Sequence, residues 1–293
     1  MSIVKSLSVG HGDMFYIRHD SDNFTIIDCY LSEDNQEDIV QELKTESKEK
    51  GVTRFISTHP DEDHIQGIAY LDKEMPIVNF YCIKNEATKE DESDSFKHYC
   101  SLRDSDKAYY VKKGCTRRWM NQANEERGPS GINILWPDAS NANFNDELQN
   151  AKNGTKFNNI SLVASYTAAN EARMLWLGDL ETSFMKSIED HISLSHVHVV
   201  FAPHHGRDSG KIPDSWLDKL KPKIIVIGEA PSRHLNYYAG YDTLTQNMAG
   251  DITFDCDDAG KIHIYASNEE YEVDYLDYEG RSKYNYYLGT LNF

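Results

Sequence analysis

The sequence predicts an α/β protein in which layered sheets are flanked by helices and one site is shared between two halves of the chain. Three observations lead there. Strand-like and helix-like runs are mixed in both halves, and clusters of acids and histidines fall at strand ends in both. No fixed-period repeat and no low-complexity linker interrupts the 293 residues. That length can bury one large core, so residues 1–293 are expected to form a single domain.

The elements follow in order. "MFYIRH" and "NFTIIDCY" alternate apolar and polar residues around the turn-forming "DSDN", which predicts a hairpin. "SEDNQEDIVQELKTESKEKG" carries Ile39, Val40 and Leu43 on one stripe, acids in its first turn and Gly51 at its end, which predicts a helix. "VTRFIS" is a strand, "IQGIAYLDKEM" a short helix and "IVNFYCI" a further strand. Residues 84–131 are polar and patchily charged, and are expected to form an insertion that covers or extends a site, or a solvated excursion. "INILWP" resumes the strand pattern, and "DASNANFNDELQNAKNGTKFNN" reads as a long polar connection. "ISLVASYT" and "ARMLWLGD" form two strands around "AANE", and "LETSFMKSIEDHI" a helix. "HVHVVFAP" and "PKIIVIGEA" are strands of the buried type separated by the helix "PDSWLDKLK". "DITFDCDDAGKIHIYAS" is a hairpin turning at "DDAG", and a tyrosine-rich extension at about 268–293 has strand propensity.

Composition narrows the function. Thirty basic residues against 48 acidic ones leave a formal charge of −18, which disfavours nonspecific binding to nucleic acid. No apolar run is long enough to cross a bilayer, and the first residues lack the pattern of a signal peptide, so a cytoplasmic protein without membrane contact is expected. The five cysteines have no C-x-x-C spacing, which argues against a disulfide framework and a zinc ribbon.

The chemistry concentrates in "STHPDEDHIQG" (57–67), where His59, Asp61, Asp63 and His64 follow a buried-type strand within six residues. Divalent metals take imidazole nitrogen and carboxylate oxygen, and a loop leaving a strand can turn several such side chains inward. Three later strand ends offer more: Asp179 in "LWLGDLE", His204 and His205 in "VVFAPHHGRDSG", and His234 in "APSRHLNYY". Asp13 and Asp28 end early strands near the same place and are expected to support the site or its substrate rather than bind metal.

With these pieces in view, the chain resembles the metallo-β-lactamase fold superfamily, and within it the ComEC-like hydrolase domains of bacterial competence proteins. The resemblance rests on "VGHGDMFYI", "FTIIDCY", "STHPDEDHIQG", "NNISLV", "LWLGDLE", "APHHGRDSG" and "DCDDAGKIHIY", in family order from residue 9 to about 265. It implies an αββα sandwich with the metal site at one edge between the two sheets. It also implies one or two divalent ions (Mn, Mg or Zn): His59 and Asp61 on one, Asp63 and His64 on a second, Asp179 bridging or joining them, and a nitrogen from His204 or His205. The superfamily usually has a histidine at the place of Asp61 and another before Asp179, where this chain has "NNIS". Fewer nitrogens shift the preference from zinc toward manganese or magnesium.

The ComEC-like resemblance points to a phosphodiester substrate, nucleic acid or nucleotide, and to Asp63 as the catalytic residue that orients water, accepts its proton or only holds metal. The −18 charge then requires a small substrate or a local basic approach, for which "VKKGCTRRW", with Lys112, Lys113, Arg117 and Arg118, is the candidate. His196 and His198 in "HVHVV" are expected to pack in the sheet. The alternative function is a subunit of a multi-protein assembly, such as a phage-defence system, that binds a protein partner through the insertion or the tyrosine-rich tail.

Overall fold

The computed structural model describes residues 1–123, 126–229 and 237–293. Its first strands are β1 (Ile3–Ser6), β2 (Phe15–Arg18), β3 (Asn23–Ile27), β4 (Val52–Ile56), β5 (Phe80–Cys82) and β6 (Ala108–Tyr110). Then come β7 (Ile132–Trp136), β8 (Val163–Thr167), β9 (Arg173–Trp176), β10 (Val199–Phe201), β11 (Ile224–Ile227) and β12 (Asp242–Thr245). The last three are β13 (Ile252–Asp255), β14 (Lys261–Ala266) and β15 (Tyr286–Asn292). They form one sheet of order β15-β14-β13-β1-β2-β3-β4-β5-β6 and a second of order β12-β11-β10-β9-β8-β7.

The two sheets face each other, with helices outside. Period-2 alternation in β2 shows why: the Phe15 ring lies 4.9 Å from Phe201 and 6.1 Å from Trp176 in the second sheet. Its neighbour Tyr16 points the other way and donates its hydroxyl to Glu42 of α1 (Gln36–Glu46) at 2.8 Å. Trp136 of β7 does the same for the second sheet, meeting Phe144 of α5 (Ala142–Lys152) at 5.6 Å and Phe184 of α6 (Thr182–Ser187) at 6.1 Å. This is the αββα sandwich that the sequence predicted.

Several elements differ from the sequence reading. The connection after β7 contains α5, an eleven-residue helix capped by Asn141, whose side chain accepts from the Phe144 N–H. Only Phe144 and Ala151 of that helix are buried, a stripe too narrow to read as periodicity. The polar stretch 84–131 holds α4 (Asp94–Arg103) and β6. Helix α4 buries Phe96, Tyr99, Leu102 and Arg103, and β6 pairs in parallel with β5. The short helix expected over "IQGIAYLDKEM" is α3 (Ile68–Glu74), and a separate turn of helix, α2 (Glu62–Ile65), forms before it within "DEDH", set apart at Gly67 with φ 78°. A Cβ at Gly67 would lie 2.6 Å from that of Leu31, so glycine lets the backbone cross there.

The tyrosine-rich tail is built into the edge of the first sheet. β15 pairs antiparallel with β14, and Asp277 exchanges two backbone hydrogen bonds with Thr290 on its far side. Tyr275 donates its hydroxyl to the Thr243 carbonyl of β12 at 2.8 Å, which ties the tail to the second sheet. Among the described residues, no helix is long and apolar enough to cross a membrane.

Candidate metal centre

Strand ends from both sheets deliver the site. Asp28 follows β3 in the left-handed region (φ 57°), which turns its carboxylate back over the end of β4. There it accepts from the Thr58 N–H (2.7 Å) and the Thr58 hydroxyl (2.6 Å). The loop after β4 carries His59, and the short α2 presents Asp63 and His64. Asp179 follows β9 through Gly178 (φ 53°), and its N–H donates to Ser161 Oγ at 2.9 Å. After β10, His204 and His205 are both left-handed, at φ 53° and 55°. Non-glycine residues held there cost energy and persist where the surroundings over-determine them, which is common at functional sites.

These side chains converge. Ligand atoms of His59, Asp63, His64 and Asp179 all lie within 4.8 Å of one another, as do those of Asp13, His64 and His205. His64 Nε2 is 3.0 Å from Asp179 Oδ1, and His205 Nε2 is 3.2 Å from Asp63 Oδ2. Each histidine is gripped at Nδ1: His64 by Asp28 (2.8 Å), His205 by Asp13 (3.0 Å), His59 by Thr58 Oγ1 (3.1 Å) and His204 by Ser209 Oγ (2.8 Å). That grip leaves Nε2 of all four directed at the cluster, the arrangement by which a carboxylate or hydroxyl behind a histidine fixes the ring for metal binding.

The polar atoms at the centre fit a cation. His59 Nε2, His64 Nε2 and Asp179 Oδ1 are buried and have no well-formed hydrogen-bond partner. Buried groups of this kind are costly unless something satisfies them, and a divalent ion satisfies two nitrogens and a carboxylate oxygen together.

The electrostatics agree. Burial opposes charge on His64 and His205, but Asp179 and Asp28 outweigh it for His64 and raise its pKa well above normal. Asp13 and Asp179 do the same for His205, which is raised to about 10. Burial also works against the Asp63 carboxylate, yet its hydrogen bond with His205 and the nearby His64 bring it down to about 2. The carboxylates thus draw positive charge into the cluster, a demand that a metal ion meets in place of protons.

The predicted residues do not all meet. His59, Asp63, His64, Asp179, His205 and Asp13 come together, with Asp28 directly behind His64. His204 stands at the edge, its Nε2 3.8 Å from Asp179. Asp61 belongs to neither converging group: it caps α2, accepting from the Glu62 N–H (2.9 Å), and pairs with Lys89 at 3.1 Å. His234 lies outside the described residues. Sequence reasoning missed Thr58, Ser161, Ser209 and Lys89, which reach the site only as hydrogen-bond or charge partners. At Gly12 a Cβ would lie 2.4 Å from the Asp63 carbonyl, so glycine lets the Asp13 loop close on α2.

In the basic segment the two arginines meet the protein's own rings, while Lys112 and Lys113 are exposed. Arg117 stacks over Tyr109 (4.3 Å) and Tyr81 (4.9 Å), and Arg118 over Trp119 (4.8 Å). His198 accepts the Arg173 N–H at 3.0 Å and stacks on Phe293, a packing role.

No protein-family model and no curated protein matches the chain. Among solved structures it is similar to CmlA, a diiron beta-hydroxylase from Streptomyces venezuelae, with 12% identity and a TM-score of 0.42. The likeness covers 78% of this chain and 44% of that one, so the chain spans less than half the length of CmlA.

Proposed function

We propose that the protein is a metal-dependent hydrolase, and that its reaction is hydrolysis of a phosphodiester in the manner of the ComEC-like group. The observation that carries this is the buried convergence of His59 Nε2, His64 Nε2 and Asp179 Oδ1, with His64 and Asp179 3.0 Å apart and the Nδ1 of each histidine behind them already held. The choice of phosphodiester rests on the order and identity of the sequence motifs.

A divalent ion held by His59, His64, Asp63 and Asp179 would supply Lewis acidity toward a phosphoryl oxygen and lower the pKa of water toward neutrality. Asp13 and Asp28 keep His205 and His64 in register from behind. Asp63 is the more open carboxylate, with 28% of its side chain exposed against 2% for Asp179. Set 3.2 Å from His205 Nε2 and among the other ligand atoms, its part would be to orient water and hold the ion. Manganese or magnesium suits this mixed oxygen and nitrogen set.

With a net charge of −18, a small phosphodiester is a better substrate than a long nucleic acid. The five free cysteines suit a reducing cytoplasm. A second reading, an effector subunit activated by a protein partner, is favoured by the exposure of Tyr278 and Tyr286 beside and on the edge strand β15. Co-elution with neighbouring gene products in size-exclusion chromatography tests that reading.

The deciding experiment is hydrolysis of bis(p-nitrophenyl) phosphate by stripped protein resupplied with manganese, magnesium or zinc. Turnover in the parent with one metal, and none in Asp179→Ala, is expected. Equal hydrolysis in the parent, Asp63→Ala and Asp179→Ala overturns the proposal.

A further inference from the structure

Strands β9, β10 and β11 run parallel, and the residues after β9 and β10 serve the metal centre. The other end of the same strands carries a second group of side chains. Arg173 opens β9, His196 and His198 precede β10, and Lys221 and Lys223 precede β11. We propose that these residues bind a small multivalent oxyanion, of the phosphate or the carboxylate kind, at a site separate from the metal centre. They line two clefts, of about 840 Å³ and 490 Å³, and His196 belongs to both. The larger has the size of a small-molecule site. Strand β9 is four residues long, so roughly 13 Å separates its two ends.

Hydrogen bonds fix the chemistry of this end. Arg173 donates its main-chain N–H to His198 Nδ1 at 3.0 Å and its guanidinium to His196 Nδ1 at 3.3 Å. Neither donor can accept, so each ring accepts at Nδ1 and, when neutral, carries its proton on Nε2. Burial, then His196, Arg173 and Lys223, lowers His198 to about 4, and burial with Arg173, Lys223 and Lys221 lowers His196, so both rings stay neutral donors in a positive field. His198 is 3% exposed, and among the described residues its Nε2–H has no partner, which leaves it to the cleft. The amide oxygen of Asn170 at the same cleft is already taken by the Ala172 N–H at 3.1 Å. Among the described residues Arg173, Lys221 and Lys223 form no ion pair, although nearby Lys219 pairs with Glu189 at 3.0 Å. Glu171, Asp218 and Asp242 line the clefts without pairing with them. In a chain of net charge −18, unpaired cations gathered beside two fixed N–H donors offer an anion both charge and hydrogen bonds.

The test is titration calorimetry on the full chain, stripped by chelator, in metal-free buffer of low salt near neutral pH. Inorganic pyrophosphate is the probe in one arm and citrate in the other, and the tighter of the two names the kind of oxyanion. The parent is expected to bind one of them with a Kd below about 1 mM. Arg173→Met should weaken that binding about tenfold or more, and the double variant Lys221→Met with Lys223→Met about three- to tenfold. Asp179→Ala, altered at the metal centre, should bind as the parent does, so this inference and the hydrolase reading fail separately. No saturable binding of either anion by the parent overturns the inference, as does parent-like affinity in the lysine variant or in a folded Arg173→Met. Loss of binding in Asp179→Ala overturns it too, by placing the anion at the metal centre. If Arg173→Met does not fold, the lysine variant, changed at two exposed positions, decides.

Discussion

The loops after β4 and β10 both bring histidines to the same centre, and they do so by different means. The first is locally ordinary: a strand ends, Asp61 caps a one-turn helix, and Asp63 and His64 are adjacent on it. The second is forced: His204 and His205 are both left-handed, and Gly206 follows at φ 82°. The shape of the first loop follows from local capping and helix signals. In the second it follows from a backbone that only the assembled sheets hold in place.

The comparison can be broken at its shared member. Asp179→Ala removes the carboxylate that both loops face, and the proposed phosphodiesterase activity is expected to fall on the order of 10³-fold or more while the far-ultraviolet circular dichroism is kept. A variant with parent-like turnover would mean that the loops serve separate ends. Within the second loop the two histidines are unequal. His205 is buried and contacts Asp13 and Asp63, whereas His204 leans on Ser209 at the edge. His205→Ala should cost on the order of 10²-fold in kcat/KM and His204→Ala about tenfold or less. The reverse order would assign the nitrogen ligand to His204.

Support from behind the first loop gives a smaller effect. Asp28→Asn keeps a hydrogen bond to Thr58 but loses the charge behind His64, and manganese affinity measured by titration calorimetry should weaken by about 10- to 100-fold. Unchanged affinity would show that position, not charge, is what Asp28 provides. The smallest effect is one of stability. A Cβ on Gly206 would lie 2.6 Å from Ile227 Cγ2 in addition to the left-handed strain, so Gly206→Ala should cost about 1–3 kcal/mol and lower Tm by a few degrees. No change in Tm would mean that the second loop relaxes freely and is not held by β11.

Much of the fold was legible because its signals are local. The β2–β3 and β13–β14 hairpins, α1, and the buried runs of β10 and β11 carry patterns that their own residues impose. Helices α4 and α5 were not legible, since each buries only a few residues and is otherwise polar. Nor was β6, whose three residues acquire meaning only by pairing with β5.

The site divides in the same way. The sequence by itself determined that acids and histidines would gather at strand ends, because ligand chemistry needs those residue types and strand ends expose them. Only the tertiary structure decided which of them meet. Asp61 and Asp63 are two residues apart and chemically identical, yet one faces Lys89 and the other faces His205. Contacts such as Lys89 with Asp61, or Asp13 with His205 across 192 positions of sequence, arise from the packing of elements far apart in the chain, and no spacing rule along the chain records them.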